Sequence, residues 1–171
     1  MATASTSTPS RAEALAAAWR AYFLAEHQPA HPAARDAMNR DLVGALGRLI
    51  PPDATVLEAG CGRGDLLAAL PQRDKAGFDS LPEIAAAARA LHPDLRIFED
   101  DATAPPNASG ELADAVVCDR LVHSVLDIRA LLLNLKARLK PGGRLYLTAF
   151  SYFWEIPARL AELAGWKRPA P

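Results

Sequence analysis

The sequence predicts an α/β domain built on a mainly parallel sheet, and three observations lead there. Short apolar runs rich in Val, Leu, Ile and Phe alternate with longer segments whose apolar residues recur at helical spacing. The first of these runs lies in Thr55 to Leu67, TVLEAGCGRGDLL, and breaks into Gly60, Gly62 and Gly64. Acids also stand at the ends of successive runs: Glu58, Asp79, and the group Glu99, Asp100 and Asp101. Strand and helix in alternation imply parallel pairing with right-handed crossovers. A chain of 171 residues can bury one adequate core.

Residues 1–9 are small and hydroxylated, with little to bury, and are expected to be a disordered tail. Ser10 and Glu13 form an S-x-x-E capping box ahead of an alanine-rich helix to about Glu26, with Leu15, Trp19, Tyr22 and Phe23 at helical spacing. Pro29 and Pro32 interrupt. A second helix, about Ala34 to Leu49, should present Met38, Leu42, Leu46 and Leu49 on one face before Pro51 and Pro52 stop it. These helices, 10–50, read as a unit packed on or covering a core of 51–171.

After the glycines a helix from Asp65 to Leu70 meets Pro71, and Lys75 to Phe78 is a second strand. Pro82 opens a helix to about Leu91, and Leu95 to Phe98 is a third strand. The polar loop Ala104 to Gly110 leads to a fourth strand, Asp114 to Cys118. Asp127 should cap a helix to about Leu139, and Lys140-Pro141-Gly142-Gly143 turns into a fifth strand, Arg144 to Ala149. Pro157 to Ala164 fits one more helix.

Composition bounds the partners. A formal net charge of −1 gives no electrostatic footprint for nucleic acid or an anionic membrane surface. No apolar run is long enough to span a bilayer, and MATASTSTPS lacks the basic and apolar regions of a secretory signal. A cytoplasmic protein is expected, in which the Asn107-Ala108-Ser109 sequon is simply a polar loop. Cys61 and Cys118 make no disulfide framework. Nothing around them has metal-ligand spacing, and two buried thiols are the preferred account.

Three glycines in five residues let a chain turn sharply from strand to helix and bring backbone N–H groups against a ligand. A plain glycine-rich turn would look the same. The dinucleotide fingerprint G-x-G-x-x-G would need its third glycine at Asp65, and Glu58 would oppose a pyrophosphate while suiting an ammonium or sulfonium charge. E-x-G-x-G-x-G from Glu58 to Gly64 resembles motif I of class I S-adenosylmethionine-dependent methyltransferases. The passage ADAVVCDRLVHSVLD…LKARLKPGGRLYLTAF resembles the second half-sheet of the same family.

That resemblance implies a Rossmann-like, three-layer α/β/α doubly wound fold with strand order 3-2-1-4-5 and S-adenosyl-L-methionine at the carboxyl ends of strands 1 and 4. It implies cofactor contacts at Glu58, Gly60, Cys61, Gly62, Gly64, Asp79, Ser80, Asp101, Ala102 and Cys118. Asp79 would accept the ribose hydroxyls, Asp101 and Ala102 would meet the adenine, and the acceptor would be a small molecule. If that acceptor needs a general base, Asp119 and His123 are the candidates, with Arg120 able to hold an acidic acceptor. The sequence departs from the family in two places. Too little chain follows strand 5 for the usual two further strands, which leaves an edge along which two copies could pair. The helix-capping serine, Ser80, stands one position early. The rival readings are a nucleotide-dependent oxidoreductase and a binding module that keeps the cofactor fold without catalysis.

Overall fold

The computed structural model describes residues 11–26, 32–106 and 112–149. The expected tail, the Ser10 cap, the sequon and the helix expected at 157–164 lie outside these residues. The described chain forms two compact units, one containing α1 (Arg11–Glu26) and the other running from α2 to the end of β5. Of the aromatic stripe expected on α1, only the Tyr22 side chain is described, and it is half-buried.

The second unit holds α2 (Pro32–Leu49), β1 (Val56–Ala59), α3 (Asp65–Ala69), β2 (Lys75–Asp79), α4 (Pro82–Leu91), β3 (Arg96–Glu99), β4 (Ala113–Cys118), α5 (Ile128–Ala137) and β5 (Leu139–Leu147). All five strands pair in parallel in the order β3-β2-β1-β4-β5, as the resemblance implied. β1 is central and wholly buried because both faces are covered. Its residues alternate: Val56 joins a core with Leu46, Leu66, Leu67 and Ile97, while Leu57 and Ala59 join Phe78, Leu131 and Leu135 on the other face. The two-residue period of a strand therefore puts Glu58 on the Val56 side, against α2 and α3.

Two expectations are corrected. Leu49 is 55% exposed, and Ile50, 2% exposed, takes the core position. Leu42, Leu46 and Ile50 recur every four residues, and the Ile50 amide still donates to the Leu46 carbonyl at 2.8 Å, so the buried stripe continues past the helix while Leu49 turns outward. The Pro141-Gly142-Gly143 turn, secondly, does not precede β5 but lies within it. Ala113 pairs with Leu139 and Ala115 with Arg144, so the extra residues bulge out of the ladder. Gly142 takes φ 80°, and a Cβ on Gly143 would lie 3.0 Å from the Asp114 and Lys140 carbonyl oxygens.

That bulge lets Lys140 reach back. Its Nζ donates to Asp114 Oδ2 at 2.9 Å and to Thr55 Oγ1 at 3.0 Å, and the Thr55 amide donates to the same carboxylate at 2.9 Å. The amino ends of β1, β4 and β5 are thereby joined. Lys140 and Thr55 together hold the Asp114 carboxyl down to about 2. The cluster is solvent-screened, so it contributes no more than about 1 kcal/mol, against about 1.5–3 kcal/mol for burying a side chain such as Leu131 or Leu135. A depressed carboxyl stabilises above its ordinary range and loses that contribution as pH falls through its folded value. Asp114→Asn should therefore lower the melting temperature modestly at pH 7, and the gap from wild type should close as pH falls from about 4 toward 2. A gap that does not change with pH would disprove this.

Candidate functional site

The turn from β1 into α3 uses a left-handed backbone at Gly60 (φ 66°), Gly62 (φ 55°) and Gly64 (φ 78°). Side chains with a Cβ rarely adopt such angles. Bonds from β2 fix the turn: the Cys61 amide donates to the Phe78 carbonyl at 2.9 Å, and the Gly62 amide donates to Asp79 Oδ2 at 3.1 Å. Asp79 Oδ1 accepts from the Leu81 amide at 3.0 Å, so this carboxylate also starts α4. Leu81 is the cap residue, and Ser80 is exposed beside it without bonding the helix end. α3 has only five residues, too few for a strong helix dipole, and the Cys61, Gly62 and Gly64 amides of the turn are already used within the fold.

Glu58 closes β1 beneath this turn. It is 3% exposed, and its Oε2 has no hydrogen-bond partner. Burial, and next the charge of Asp119, push its carboxyl well above the usual range, with Asp65 adding to the rise; Arg120 and the Leu67 amide oppose the shift. A buried acceptor without a donor is costly unless a ligand supplies one.

From β4 come Asp119, Arg120 and Leu121. Asp119 is engaged on both oxygens: the Thr148 hydroxyl donates to Oδ1, and Arg120 donates to Oδ2 from Nε at 2.7 Å. Arg120 takes φ 52°, a strained backbone for a residue with a Cβ, held by its amide's bond to Thr148 Oγ1 at 3.0 Å and by Nη2 donating to Asn39 Oδ1 of α2 at 3.2 Å. A Cβ on Gly60 would lie 3.0 Å from Leu121 Cδ1, so the segment after β4 lies across the glycine turn. His123 is exposed on the 3₁₀ turn Val122–Ser124.

After β3, the Asp100 amide donates to the Asp79 carbonyl at 3.2 Å, which ties that loop to the end of β2. Asp101 is exposed and its Oδ1 accepts from the Thr103 amide and hydroxyl, each at 2.7 Å, while Ala102 is buried. The structure thus brings Glu58, the three glycines and Asp79 together, sets Asp119 in reach of Glu58's field, and places Asp101 and Ala102 one strand further out. Cys61 and Cys118 are buried free thiols raised first by burial, Cys118 to about 11. Among the described residues no cluster of His, Cys, Asp and Glu could hold a metal, and no helix is long and apolar enough to cross a membrane.

Sequence reasoning passed over Gly77. A Cβ there would lie 2.9 Å from Cys61 Cβ and 3.0 Å from Leu67 Cδ2, so β2 must be bare at that point for the turn to pack on it. A glycine inside an otherwise apolar strand was the available signal. A shallow groove lined by Pro52, Asp53, Arg73 and Asp74 lies at the amino-terminal end of β1 and β2. Ligands of open parallel sheets bind at the other end.

Comparison with known proteins follows the same lines. A family model described as a methyltransferase domain matches residues 13–170. YcgJ from Bacillus subtilis superposes with TM-score 0.57 at 20% identity, covering 63% of this chain and 50% of that one. CalS10 from Micromonospora echinaspora, an amino pentose methyltransferase solved with S-adenosylmethionine bound, gives 0.58 at 24%, covering 85% and 59%. A TehB-like S-adenosylmethionine-dependent methyltransferase from Corynebacterium glutamicum gives 0.52 at 23%, covering 78% and 84%. At these identities the likeness is one of fold, and the chain spans only 50–59% of the first two proteins. No curated protein matches the sequence.

The buried carboxyl makes a prediction about stability. Because its folded value is raised, Glu58 costs nothing below the ordinary carboxyl range and destabilises increasingly as pH rises above it. Glu58→Gln, which removes the charge, should raise the melting temperature of the ligand-free protein at pH 7 to 8 by several degrees and flatten its fall between pH 5 and 8. A variant melting at or below wild type across that range would refute this.

Proposed function

The chain belongs to the methyltransferase domain family, of the class I S-adenosylmethionine-dependent kind, and from that premise we propose that it transfers a methyl group from S-adenosylmethionine to a small-molecule acceptor. Glu58 is the observation that carries this reading. Its buried, partnerless oxygen beneath a glycine turn suits a cationic ligand end and would repel the pyrophosphate of a dinucleotide. This weighs against a nucleotide-dependent oxidoreductase.

The residues fit the cofactor in sequence across the sheet. The Gly60, Cys61, Gly62 and Gly64 backbone, with Glu58 beneath it and Cys118 at the end of β4, would hold the methionine end. Asp79 keeps lone pairs beyond those its two amide donors use and would accept the ribose hydroxyls, with Ser80 beside it. Asp101 and Ala102 would meet the base. Bound there, S-adenosylmethionine supplies an already activated methyl group.

On the acceptor side the chain's own residues must orient a nucleophile and, for an oxygen or nitrogen acceptor, take its proton. Asp119 has both oxygens committed, which leaves His123 as the side chain for proton removal and gives Asp119 the task of holding Arg120. Arg120 is then available to steer an acidic acceptor.

Titration with S-adenosylhomocysteine tests the cofactor assignment, and absence of binding would end it. Asp79→Ala should weaken that binding roughly tenfold or more, since a hydrogen bond to a charged group is worth about 1.5–3 kcal/mol. Unchanged affinity would remove the ribose role. With a turned-over acceptor in hand, His123→Ala should lower kcat by about 10²-fold or more, remove the acid limb of the pH–rate profile and leave S-adenosylhomocysteine affinity unchanged. A full rate in that variant would exclude His123 as the base.

A further inference from the structure

Arg138, the residue that ends α5, has only 3% of its side chain exposed and lies beneath the loop that follows β3. Its Nη2 donates to Asp100 Oδ2, and that carboxylate is itself only 10% exposed. Its Nη1 donates to the Asn134 carbonyl at 3.2 Å and comes within 3.5 Å of the Ala104 carbonyl. The guanidinium also sits 4.8 Å from the centre of the Phe78 ring of β2. One turn earlier on α5, Asn134 Nδ2 donates to the Thr103 carbonyl at 2.6 Å. Two side chains of one helix therefore grip Asp100, Thr103 and Ala104, the residues on either side of Asp101 and Ala102.

This grip is more than the core requires. Apolar packing already holds α5 through Leu131 and Leu135, both wholly buried. A buried ion pair adds little net stability over an apolar pair of the same shape, and what it fixes best is geometry. The geometry fixed here is that of a loop whose own residues are partly exposed. Neighbouring parallel strands lie about 4.8 Å apart, so a ligand anchored at β1 with its sugar at Asp79 on β2 extends its base over the end of β3, where this loop stands.

We propose that Arg138 and Asn134 are positioning residues that set the Asp100–Ala104 loop to distinguish adenine from other bases. The inference rests on the cofactor reading above. An adenine 6-amino group donates to a carboxylate such as that of Asp101, and the ring N1 accepts from a backbone N–H such as that of Ala102. Hypoxanthine reverses both roles, presenting a carbonyl and an N–H, so a loop held in register rejects it and a slack loop does not.

The test compares binding of S-adenosylhomocysteine and S-inosylhomocysteine by calorimetry to wild type, Arg138→Lys and Asn134→Ala, with melting curves for each protein. Lysine keeps the charge but cannot fork between Asp100 and the two carbonyls. Wild type should prefer the adenine ligand by about tenfold or more, and in both variants that preference should fall severalfold. Simple destabilisation would weaken both ligands alike and leave the ratio intact. An unchanged ratio in the folded variants overturns the proposal, as does a wild type that binds both ligands equally. If Arg138→Lys does not fold, Asn134→Ala decides, because it removes one exposed-side tether and no buried charge. A wild type that binds neither ligand overturns the cofactor reading itself, which is a separate result.

Discussion

The organisation of the site depends on one constraint, the left-handed turn by which β1 passes into α3. No residue with a Cβ would take its three positive φ angles without strain at each step. The turn is equally constrained from outside, because Asp79 must accept from Gly62 and Gly77 must leave room for Cys61 and Leu67. The end of β2 thus shapes the end of β1. Since Asp79 also starts α4, one carboxylate aligns the loop and the next helix together, and in the proposed function the ribose as well. The switch in strand order between β1 and β4 then opens the space above them.

Two buried charges near this end of the sheet show how structure and site can be told apart. Arg138 is surrounded by acceptors and stacked on Phe78, and both of its Nη groups donate to protein acceptors. Its burial cost is offset within the protein. Glu58 is as deeply buried, yet one oxygen finds no donor, and the nearest charges include a second carboxylate. A fold selected only for stability would place an apolar residue there, since a buried carboxyl oxygen without a donor is costly. Unsatisfied burial is therefore what supports the proposed binding role of Glu58 and sets it apart from a brace, where burial alone does not.

Much of this was legible in the sequence because local chemistry and fold agreed. Glycine spacing, Pro82 at the first position of α4 and Asp127 capping α5, its Oδ1 accepting from the Ala130 amide at 2.8 Å, each fix structure within a few residues. Where the structure departed, either a helix boundary or a contact distant in sequence decided. Ile50 displaced Leu49 because the buried stripe runs beyond the helix. The Pro141-Gly142-Gly143 bulge depends on how β4 pairs, and Asp119's commitment depends on Thr148, just past the next strand. Arg138 reads in sequence as one more basic residue at a helix end, and only the placement of Asp100 and Phe78 reveals its burial.

Under the proposed function, the same logic explains why the donor side of the reaction is readable and the acceptor side is not. A methyl donor that arrives activated asks for alignment and charge complementarity, and these are met by backbone turns and strand-end carboxylates whose spacing a sequence records. The acceptor must instead be held by whatever lies over the turn. In the proposed function that is the segment from Asp119 to His123, where Arg120 is held through its backbone by Thr148 just past β5 and through its side chain by Asn39 from α2. Three segments far apart in the chain determine one short surface, so no single stretch of sequence spells its specificity. The strain at Arg120 is nonetheless informative, because such a backbone persists only where the surroundings over-determine it, and the group it positions is a guanidinium whose charge reaches Glu58 beneath the glycine turn.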